Sequence, residues 1–349
     1  MLDKDLLNEE ILAPISAVSY IDRGILKKLP PGTIVRGISP SGASYWARTA
    51  KIEATNTHGD TREYFLKVLR GDKGKYGVAS EFHSMQELYR VMPEIVIKPV
   101  AWGSYEEIPD THFFLCDFRE MNGDIPDLAC FPALLAQMHK RGISPDGNFG
   151  YPVATFGGNR ALIFPIQKTW EKCFSMGLQG VFAAEFEMHG PDEELRILTK
   201  TIFEKVIPRL LRPLESEGRS ITPCLVHGDL WDGNASVDLA TGRPVIFDGT
   251  PLYAHNEYDL APWRCPHHKM TKAYIDEYSA HYESAEPKEE LYDRLDLYCL
   301  RFTMHGSSMF PGNLKLREYG KKAMRELVAK YREGYEGYAE RKGIAFSGS

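Results

Sequence analysis

Residues 225–248 read LVHGDLWDGNASVDLATGRPVIFD and contain three polar side chains whose spacing governs the interpretation of the whole chain. Asn234 stands five positions after Asp229, and Asp248 ends the apolar run Val245-Ile246-Phe247. Phosphoryl-transfer loops typically contain a carboxylate, an amide at this distance after it, and then an aspartate at a strand end. The stretch therefore predicts Asp229 as a general base, with Asn234 and Asp248 as oxygen ligands of Mg²⁺.

Each of these residues also has an ordinary structural interpretation. His227-Gly228-Asp229 could be a turn, Asn234 a left-handed turn residue and Asp248-Gly249 a strand-ending turn. The functional interpretation is favoured because the earlier part of the chain supplies the other components that a kinase requires, in the expected order.

The first of these components is a series of strands that begins at residue 33. Residues 33–36, 45–54 and 64–69 have the β-branched and aromatic composition of strands, and small-residue turns separate them. In a kinase N-lobe the first turn covers the nucleotide phosphates, which here predicts contacts from Ser41, Gly42 and Ala43. Lys67, embedded in the third strand, would bind phosphate oxygens, although its position alone also fits an exposed strand face.

Glu81 is the second component. Val78, Phe82, Met85, Tyr89 and Met92 are spaced as the apolar face of one helix, and Glu81 lies at the border of that face. We expect Glu81 to form an ion pair with Lys67. The alternative is a solvated carboxylate that interacts with the N-terminal end of the helix dipole.

Residues 95–102 and 112–118 add two strands, which predicts a small antiparallel five-stranded sheet with one helix. Polar residues 119–130 form a predicted hinge, and Asp117 and Phe118 beside it are predicted to contact the nucleotide. Helices are predicted at residues 132–140, 170–190, 193–214 (kinked or ended at Pro208), 271–283, 291–305 and 314–331, with a glycine-rich loop at 144–160. The prediction is an α+β, bilobed, protein-kinase-like fold, with an N-lobe at residues 1–118 and a larger, mostly helical C-lobe at 119–349.

Composition excludes several other classes of protein. The net charge of −6 and the absence of any basic run argue against nucleic acid as the main partner. No segment approaches the roughly 20 apolar residues of a membrane span, and the N-terminus lacks a signal-peptide core, so a cytosolic protein is expected. The six scattered cysteines indicate reduced thiols, and the spacing of Cys265, His267 and His268 does not match a structural zinc site.

Several motifs together resemble the fructosamine kinase (ketosamine-3-kinase) family. The main one is LVHGDLWDGN followed by VIFDGTPLYAHNEYDLA, and the similarity extends over roughly residues 30–315. It includes LLAQMHK, FGYPVATFGG and LYCLRFTMHGSSMFPGN.

The resemblance implies ATP- and Mg²⁺-dependent phosphorylation of the 3-hydroxyl of ketosamines, which are sugar adducts of lysine side chains or free amines. The phosphorylated adduct then decomposes and releases the amine, a deglycation. By the same resemblance Asp229 would deprotonate the sugar hydroxyl and Trp231 would stack on the adduct. His255, Glu257 and Trp170 would contact substrate, whereas His227 and Asp259 would support the catalytic loop.

The sequence departs from the family pattern at two places. Ser39–Ser44 lacks both the several glycines and the cysteine found in some members, so redox dimerisation through this loop is not expected and a monomer is favoured. Gly249 replaces the proline that often follows the metal-binding aspartate. An aminoglycoside- or choline-type small-molecule kinase remains an alternative, as does a nucleotide-binding pseudokinase that serves as a scaffold.

Overall fold

Eleven strands and ten α-helices form within residues 11–42, 44–265 and 267–344, which the computed structural model describes. Strands β1 to β11 are Ile34–Pro40, Arg48–Thr55, Thr61–Arg70, Pro99–Ser104, Thr111–Asp117, Thr155–Gly157, Arg160–Leu162, Cys224–Val226, Ala235–Val237, Pro244–Ile246 and Leu252–Ala254. Helices α1 to α10 are Arg23–Leu26, Gly71–Val91, Phe131–Arg141, Trp170–His189, Glu193–Thr201, Ile207–Leu211, Lys272–His281, Leu291–Met309, Lys315–Lys330 and Gly334–Lys342. Four 3₁₀ segments (Ile15–Val18, Arg212–Glu215, Asn256–Arg264 and Lys288–Glu290) and one π segment (Ile202–Val206) complete the described elements.

The chain divides into two compact units that do not coincide with two continuous stretches of sequence. The first contains the described residues up to Pro126 together with Thr155–Ala161 and Gly233–Thr250. The second contains Asp127–Ala154, Leu162–Asp232 and the described residues from Pro251 onward. The lobes predicted from the sequence, 1–118 and 119–349, are continuous, so the returning segment Gly233–Thr250 was not foreseen as part of the first unit.

The first unit is built on a five-stranded antiparallel sheet of order β1-β2-β3-β5-β4. Successive side chains of β3 point to opposite faces, so Tyr64, Leu66 and Val68 enter a hydrophobic core with Ile25 and Phe113. Lys67 consequently lies on the opposite face. The predicted antiparallel sheet and its accompanying helix α2 are confirmed.

The second unit is mostly helical and is centred on aromatic side chains. Trp170, Phe174, Tyr258 and Tyr298 pack with ring centroids between 5.1 and 6.3 Å apart, mostly edge to face. These residues come from α4, α8 and the 3₁₀ helix Asn256–Arg264. Their packing holds the 3₁₀ helix against two long helices.

The region around Pro208 shows how the chain accommodates a residue that cannot donate a backbone hydrogen bond. Pro208 is the second residue of α6, directly after the π segment Ile202–Val206. A π segment shifts the hydrogen-bond pattern by one residue, which lets the chain continue in helical form past the proline. The helix predicted at 193–214 is therefore divided into four consecutive segments, which are α5, the π segment, α6 and the 3₁₀ segment Arg212–Glu215.

Among the described residues, no helix combines the length and the apolar character needed to cross a membrane.

Candidate active site

A partly buried lysine contacts two carboxylates in the first unit. The Nζ atom of Lys67 lies 2.9 Å from Oε2 of Glu81 and 2.6 Å from Oδ1 of Asp248. The predicted Lys67–Glu81 ion pair is therefore confirmed, with Glu81 supplied by α2. Because only 16% of the lysine side chain is exposed and a charge shielded from water is unfavourable unless paired, the two carboxylates fix the position of its ammonium group.

The same cluster shifts the proton affinity of its members. Burial alone would lower the pKa of Lys67, but the charges of Asp248 and Glu81 raise it overall, so the side chain is a cation. Burial and the negative charge of Asp248 raise the pKa of Glu81, against the opposing effect of Lys67. The lysine is thus charged and held in place before any anion arrives.

A short hairpin brings the two predicted magnesium ligands together. In the β9–β10 pair Ala235 lies opposite Ile246, so Asn234 and Asp248 both emerge at the same end of the hairpin. The N–H of Phe247 donates to the carbonyl of Asn234 at 3.1 Å, which extends the pairing to this end. An amide and a carboxylate are oxygen donors suited to Mg²⁺, so the residues present fit that ion.

Asp248 has an unusual backbone conformation. Its φ of +60° lies in the left-handed region, which costs a non-glycine residue about 1 kcal/mol or more. This geometry turns the chain sharply after β10 and presents the carboxylate to Lys67. Backbone strain of this kind is concentrated at functional sites.

The predicted nucleotide turn lies at the end of β1. The N–H of Ser41 donates to the carbonyl of Thr49 at 3.1 Å, and Gly42 has a φ of +81°. A side chain at Gly42 would be strained by this backbone conformation and would approach Thr49 Oγ1 to 3.2 Å. Ala43, also predicted to contact nucleotide, lies outside the described residues.

Asp117 and Phe118 lie at the end of β5. Their N–H groups donate to the carbonyls of Lys98 and Glu63, each at 3.0 Å, so both backbone donors are used within the sheet. The ring of Phe118 lies under the Nζ atom of Lys51 at 4.7 Å. Any contact with a base edge would therefore come from the carbonyl groups or from the residues that follow.

In the second unit, one buried carboxylate supports the backbone of the predicted catalytic loop. The N–H groups of His227 and Gly228 donate to Oδ2 and Oδ1 of Asp259, each at 2.7 Å. His139, from α3, contacts Oδ2 of the same carboxylate through Nε2 at 3.1 Å. Burial alone would raise the pKa of Asp259, but the interaction with His139 and the backbone hydrogen bonds lower it, so the carboxylate is ionised.

This arrangement agrees with the supporting roles expected for His227 and Asp259. His227 also places its Nδ1 atom 3.3 Å from the N–H of Asp229. His139 was missed by the sequence analysis, because a histidine on the apolar face of a helix resembles any core residue.

Asp229 itself is partly open to solvent, with 28% of its side chain exposed. Arg301, from α8, is almost fully buried and places Nη1 3.6 Å from Oδ1 of Asp229. Its guanidinium also lies over the ring of Phe302 at 4.4 Å. A fixed cation beside the predicted base favours its carboxylate form, and nothing in the local sequence indicated this contact.

Three residues that the resemblance assigned to substrate are buried in the second unit. Trp170 has no exposed surface, and its indole N–H donates to Tyr298 Oη at 2.8 Å. His255 is also fully buried and contacts Tyr298 Oη through Nδ1 at 3.0 Å. Glu257 accepts two hydrogen bonds from Arg294, at 2.7 and 2.8 Å, and one from the N–H of Ala285 at 3.0 Å.

These contacts correct the assignment of Trp170, His255 and Glu257 as substrate residues, since all three side chains are buried and hydrogen-bonded inside the fold. Nε2 of His255 is a buried atom that makes no hydrogen bond among the described residues. Burial lowers the pKa of His255 to about 4, so the ring is neutral. Trp231 differs from them, because it follows Asp229 and Leu230, is 38% exposed and lies 5.5 Å from the ring of His268. Trp231 is therefore the substrate candidate that the geometry retains.

A family model described as "Fructosamine kinase" matches residues 47–330, which is most of the chain. The chain belongs to the fructosamine kinase family. Membership agrees with the α+β, protein-kinase-like fold and makes the protein a phosphotransferase.

Individual relatives carry more specific names. A probable ketoamine kinase of Staphylococcus aureus is 29% identical over 259 residues, covering 72% of this chain and 82% of the relative. A chloroplastic protein-ribulosamine 3-kinase of Oryza sativa subsp. japonica is 28% identical over 252 residues, covering 72% of this chain and 69% of the relative. The crystal structure of a protein from Thermobifida fusca described as a putative fructosamine-3-kinase superposes with a TM-score of 0.66, at 18% identity over 85% and 95% of the two chains. At that identity the structural likeness supports the fold of a fructosamine kinase and nothing finer.

Proposed function

We propose that the protein is an ATP- and Mg²⁺-dependent ketosamine 3-kinase acting on sugar adducts of lysine or of free amines. The observation that carries the proposal is the cluster of Lys67, Glu81 and Asp248 beside the hairpin end that presents Asn234. This is the set of charges that holds nucleotide phosphates in kinases. The names of the two relatives, a ketoamine kinase and a ribulosamine kinase, support the choice of acceptor.

In the proposed reaction Asp229 accepts the proton of the sugar 3-hydroxyl while that oxygen attacks the γ-phosphorus of ATP. The bond from the γ-phosphorus to the bridging oxygen breaks, and ADP leaves with the electron pair. Lys67 neutralises phosphate oxygens, and Glu81 keeps its ammonium group in position. Arg301, whose Nη1 atom lies 3.6 Å from Oδ1, positions the Asp229 carboxylate.

Asn234 and Asp248 are the residues proposed to hold Mg²⁺, which when bound neutralises charge that develops on the phosphate oxygens. Ser41, Gly42, Ala43, Asp117 and Phe118 are proposed to line the nucleotide site. Because Lys67 already binds Asp248 without nucleotide, we expect phosphate oxygens to replace part of that contact.

Trp231 is the residue proposed to recognise the acceptor, by stacking of its exposed indole on the sugar adduct. Because His255 and Glu257 are buried, these two residues give no basis for distinguishing a ketosamine kinase from an aminoglycoside kinase. Discrimination between the two substrate classes consequently has to be measured directly.

The test is a substrate panel assayed by mass spectrometry with ATP and Mg²⁺. Ribulosyl-lysine and fructosyl-lysine should each gain one phosphate, whereas aminoglycosides and choline should not. Asp229→Asn should reduce kcat by about 10²- to 10⁴-fold, the usual contribution of a general base, and leave ATP binding intact. Asp276→Asn, which changes an exposed aspartate paired with Lys272 on α7, is the matched control and should leave kcat unchanged.

Turnover of an aminoglycoside but of no ketosamine would replace the proposal by the alternative acceptor class. A rise in melting temperature with ATP and Mg²⁺, without phosphate transfer to any compound of the panel, would instead favour a nucleotide-binding pseudokinase.

A further inference from the structure

Three metal-binding side chains meet directly after the 3₁₀ helix Asn256–Arg264. Cys265 is buried, His268 is half-buried and His267 is exposed, and one ligand atom from each lies within 4.8 Å of the others. A thiol and two imidazoles form a ligand set that favours Zn²⁺ and similar borderline cations over Mg²⁺. None of these side chains has a role in the proposed phosphoryl transfer.

A second thiol lies nearby but outside this group of ligand atoms. Cys299, on α8, places its Sγ atom 3.7 Å from Sγ of Cys265. It does not belong to the set of ligand atoms that lie within 4.8 Å of one another, and its thiol donates to the carbonyl of Ala261 at 2.9 Å. The distance between the two sulfur atoms is far longer than the roughly 2.05 Å of a disulfide.

An aspartate of the catalytic loop orients one of the imidazoles. Nδ1 of His268 lies 2.8 Å from Oδ1 of Asp232. A carboxylate on one ring nitrogen fixes the ring and leaves the other nitrogen, Nε2, as the metal ligand, which is the usual outer-shell arrangement of zinc-binding histidines. Asp232 also accepts a hydrogen bond from the N–H of Lys269 at 3.3 Å.

We propose that Cys265, His267 and His268 form a binding site for Zn²⁺, with a water molecule as the fourth ligand. Binding forms one Zn–S and two Zn–N bonds, and the proton of the Cys265 thiol passes to solvent. The ion fixes the segment after the 3₁₀ helix, and through His268 it fixes the side of Trp231 against which that imidazole packs. Spacing along the chain argued against zinc here, whereas the structure brings one ligand atom of each residue within 4.8 Å of the others.

The test uses untagged full-length protein that is stripped with a chelator and then dialysed against Zn²⁺ in the presence of excess Mg²⁺. We expect about one tightly held zinc ion per chain and release of about one proton, that of the Cys265 thiol, on binding. Replacement by Co²⁺ should give the visible absorption and sulfur charge-transfer bands of a tetrahedral thiolate site. A zinc content indistinguishable from the buffer would overturn the proposal.

Alkylation supplies a control within the same molecule. The labelling is followed for long enough to alkylate the buried Cys265 fully in the zinc-free protein. Zinc should slow this alkylation by iodoacetamide, whereas the exposed Cys130 should react equally with and without zinc. Equal rates of Cys265 alkylation in both conditions would contradict the proposal without depending on the stability of any variant.

Variants then assign the ligands. Cys265→Ser and His268→Ala should each weaken zinc binding by more than tenfold, and Asp232→Asn by about 10- to 100-fold through loss of the orienting carboxylate. Cys130→Ser and His281→Ala, which remove exposed side chains elsewhere in the second unit, should bind zinc as the unmodified protein does. Unchanged binding in Cys265→Ser or in His268→Ala would overturn the site.

Discussion

Replacement of Asp259 by asparagine tests how the catalytic loop is held. The buried carboxylate accepts the N–H groups of His227 and Gly228 at 2.7 Å and contacts His139. Asparagine has the same shape but only one acceptor oxygen. If that oxygen serves His227, its amide NH₂ group faces the N–H of Gly228, and two donors oppose each other in the interior.

The magnitude follows from these contacts. A hydrogen bond to a charged group contributes about 1.5–3 kcal/mol, and a buried donor left without an acceptor adds a penalty of similar size. We therefore expect Asp259→Asn to lower the free energy of unfolding by roughly 2–4 kcal/mol. Because Gly228 directly precedes Asp229, the predicted base should also lose its alignment, and kcat should fall by up to about 10²-fold.

Urea unfolding and steady-state kinetics measure the two effects. The matched control is Asp192→Asn, since Asp192 also accepts a backbone N–H, that of Leu195 at 2.8 Å, but at the start of α5. Asparagine is a good N-cap residue, so the control should lose less than about 1 kcal/mol and keep its kcat. An Asp259→Asn protein as stable and as active as the unmodified one would refute the assigned role of Asp259.

Two further predictions concern the buried polar groups near the aromatic core. Glu257→Gln leaves Arg294 as an uncompensated buried cation and should lower the free energy of unfolding, measured in urea, by about 3–5 kcal/mol. The double variant Glu257→Leu with Arg294→Met removes both charges and should lose less stability than this single change. A double variant less stable than the single one would contradict this account. Because burial lowers the pKa of His255 from 6.5 to about 4, the unfolded chain binds one more proton than the folded chain between these values. The free energy of unfolding should thus fall as pH decreases through this window, by up to about 3 kcal/mol, and His255→Gln should remove that part of the pH dependence. A variant with the same pH profile as the unmodified protein would show that His255 is not the titrating group.

The sequence was sufficient for features that depend on local spacing. The pairing of Lys67 with Glu81 was predicted because an apolar strand that contains a lysine is followed by a helix with a glutamate at the border of its apolar face. Asn234 and Asp248 were predicted as joint ligands because their spacing after Asp229 is typical of phosphoryl-transfer loops, whereas the hairpin that brings them to the same end was not predicted. The five-stranded sheet followed from alternating apolar residues and turns.

Features that depend on contacts between distant segments could not be predicted in this way. Trp170, His255 and Glu257 were expected at the substrate because the family resemblance implied it, yet the aromatic core and Arg294 bury them. A buried polar residue binds an internal partner when the fold brings one close to it. The partner of Glu257 is Arg294, which lies 37 positions away in the sequence, so local spacing could not reveal the contact. The contacts of Arg301 with Asp229 and of His139 with Asp259 could not be predicted for the same reason.

The catalytic loop is shaped by one later segment of the second unit. Asp259 binds the backbone of residues 227 and 228, the indole N–H of Trp263 donates to the carbonyl of Leu230 at 2.9 Å, and Lys269 donates to Asp232. Successive positions on both sides of Asp229 are thus fixed by residues between 259 and 269, while the Asp229 side chain itself remains partly open to solvent.

This division of roles explains why the family motif continues past Asp248, the proposed metal ligand, into the run that ends Tyr-Asp-Leu-Ala. The later residues carry no reacting group, but they determine the backbone conformation from which Asp229 extends. It also gives the proposed zinc site a physical connection to the proposed chemistry. Cys265, His267 and His268 lie in the same supporting segment, so an ion that fixes this segment would stabilise the template on which the loop around Asp229 is formed.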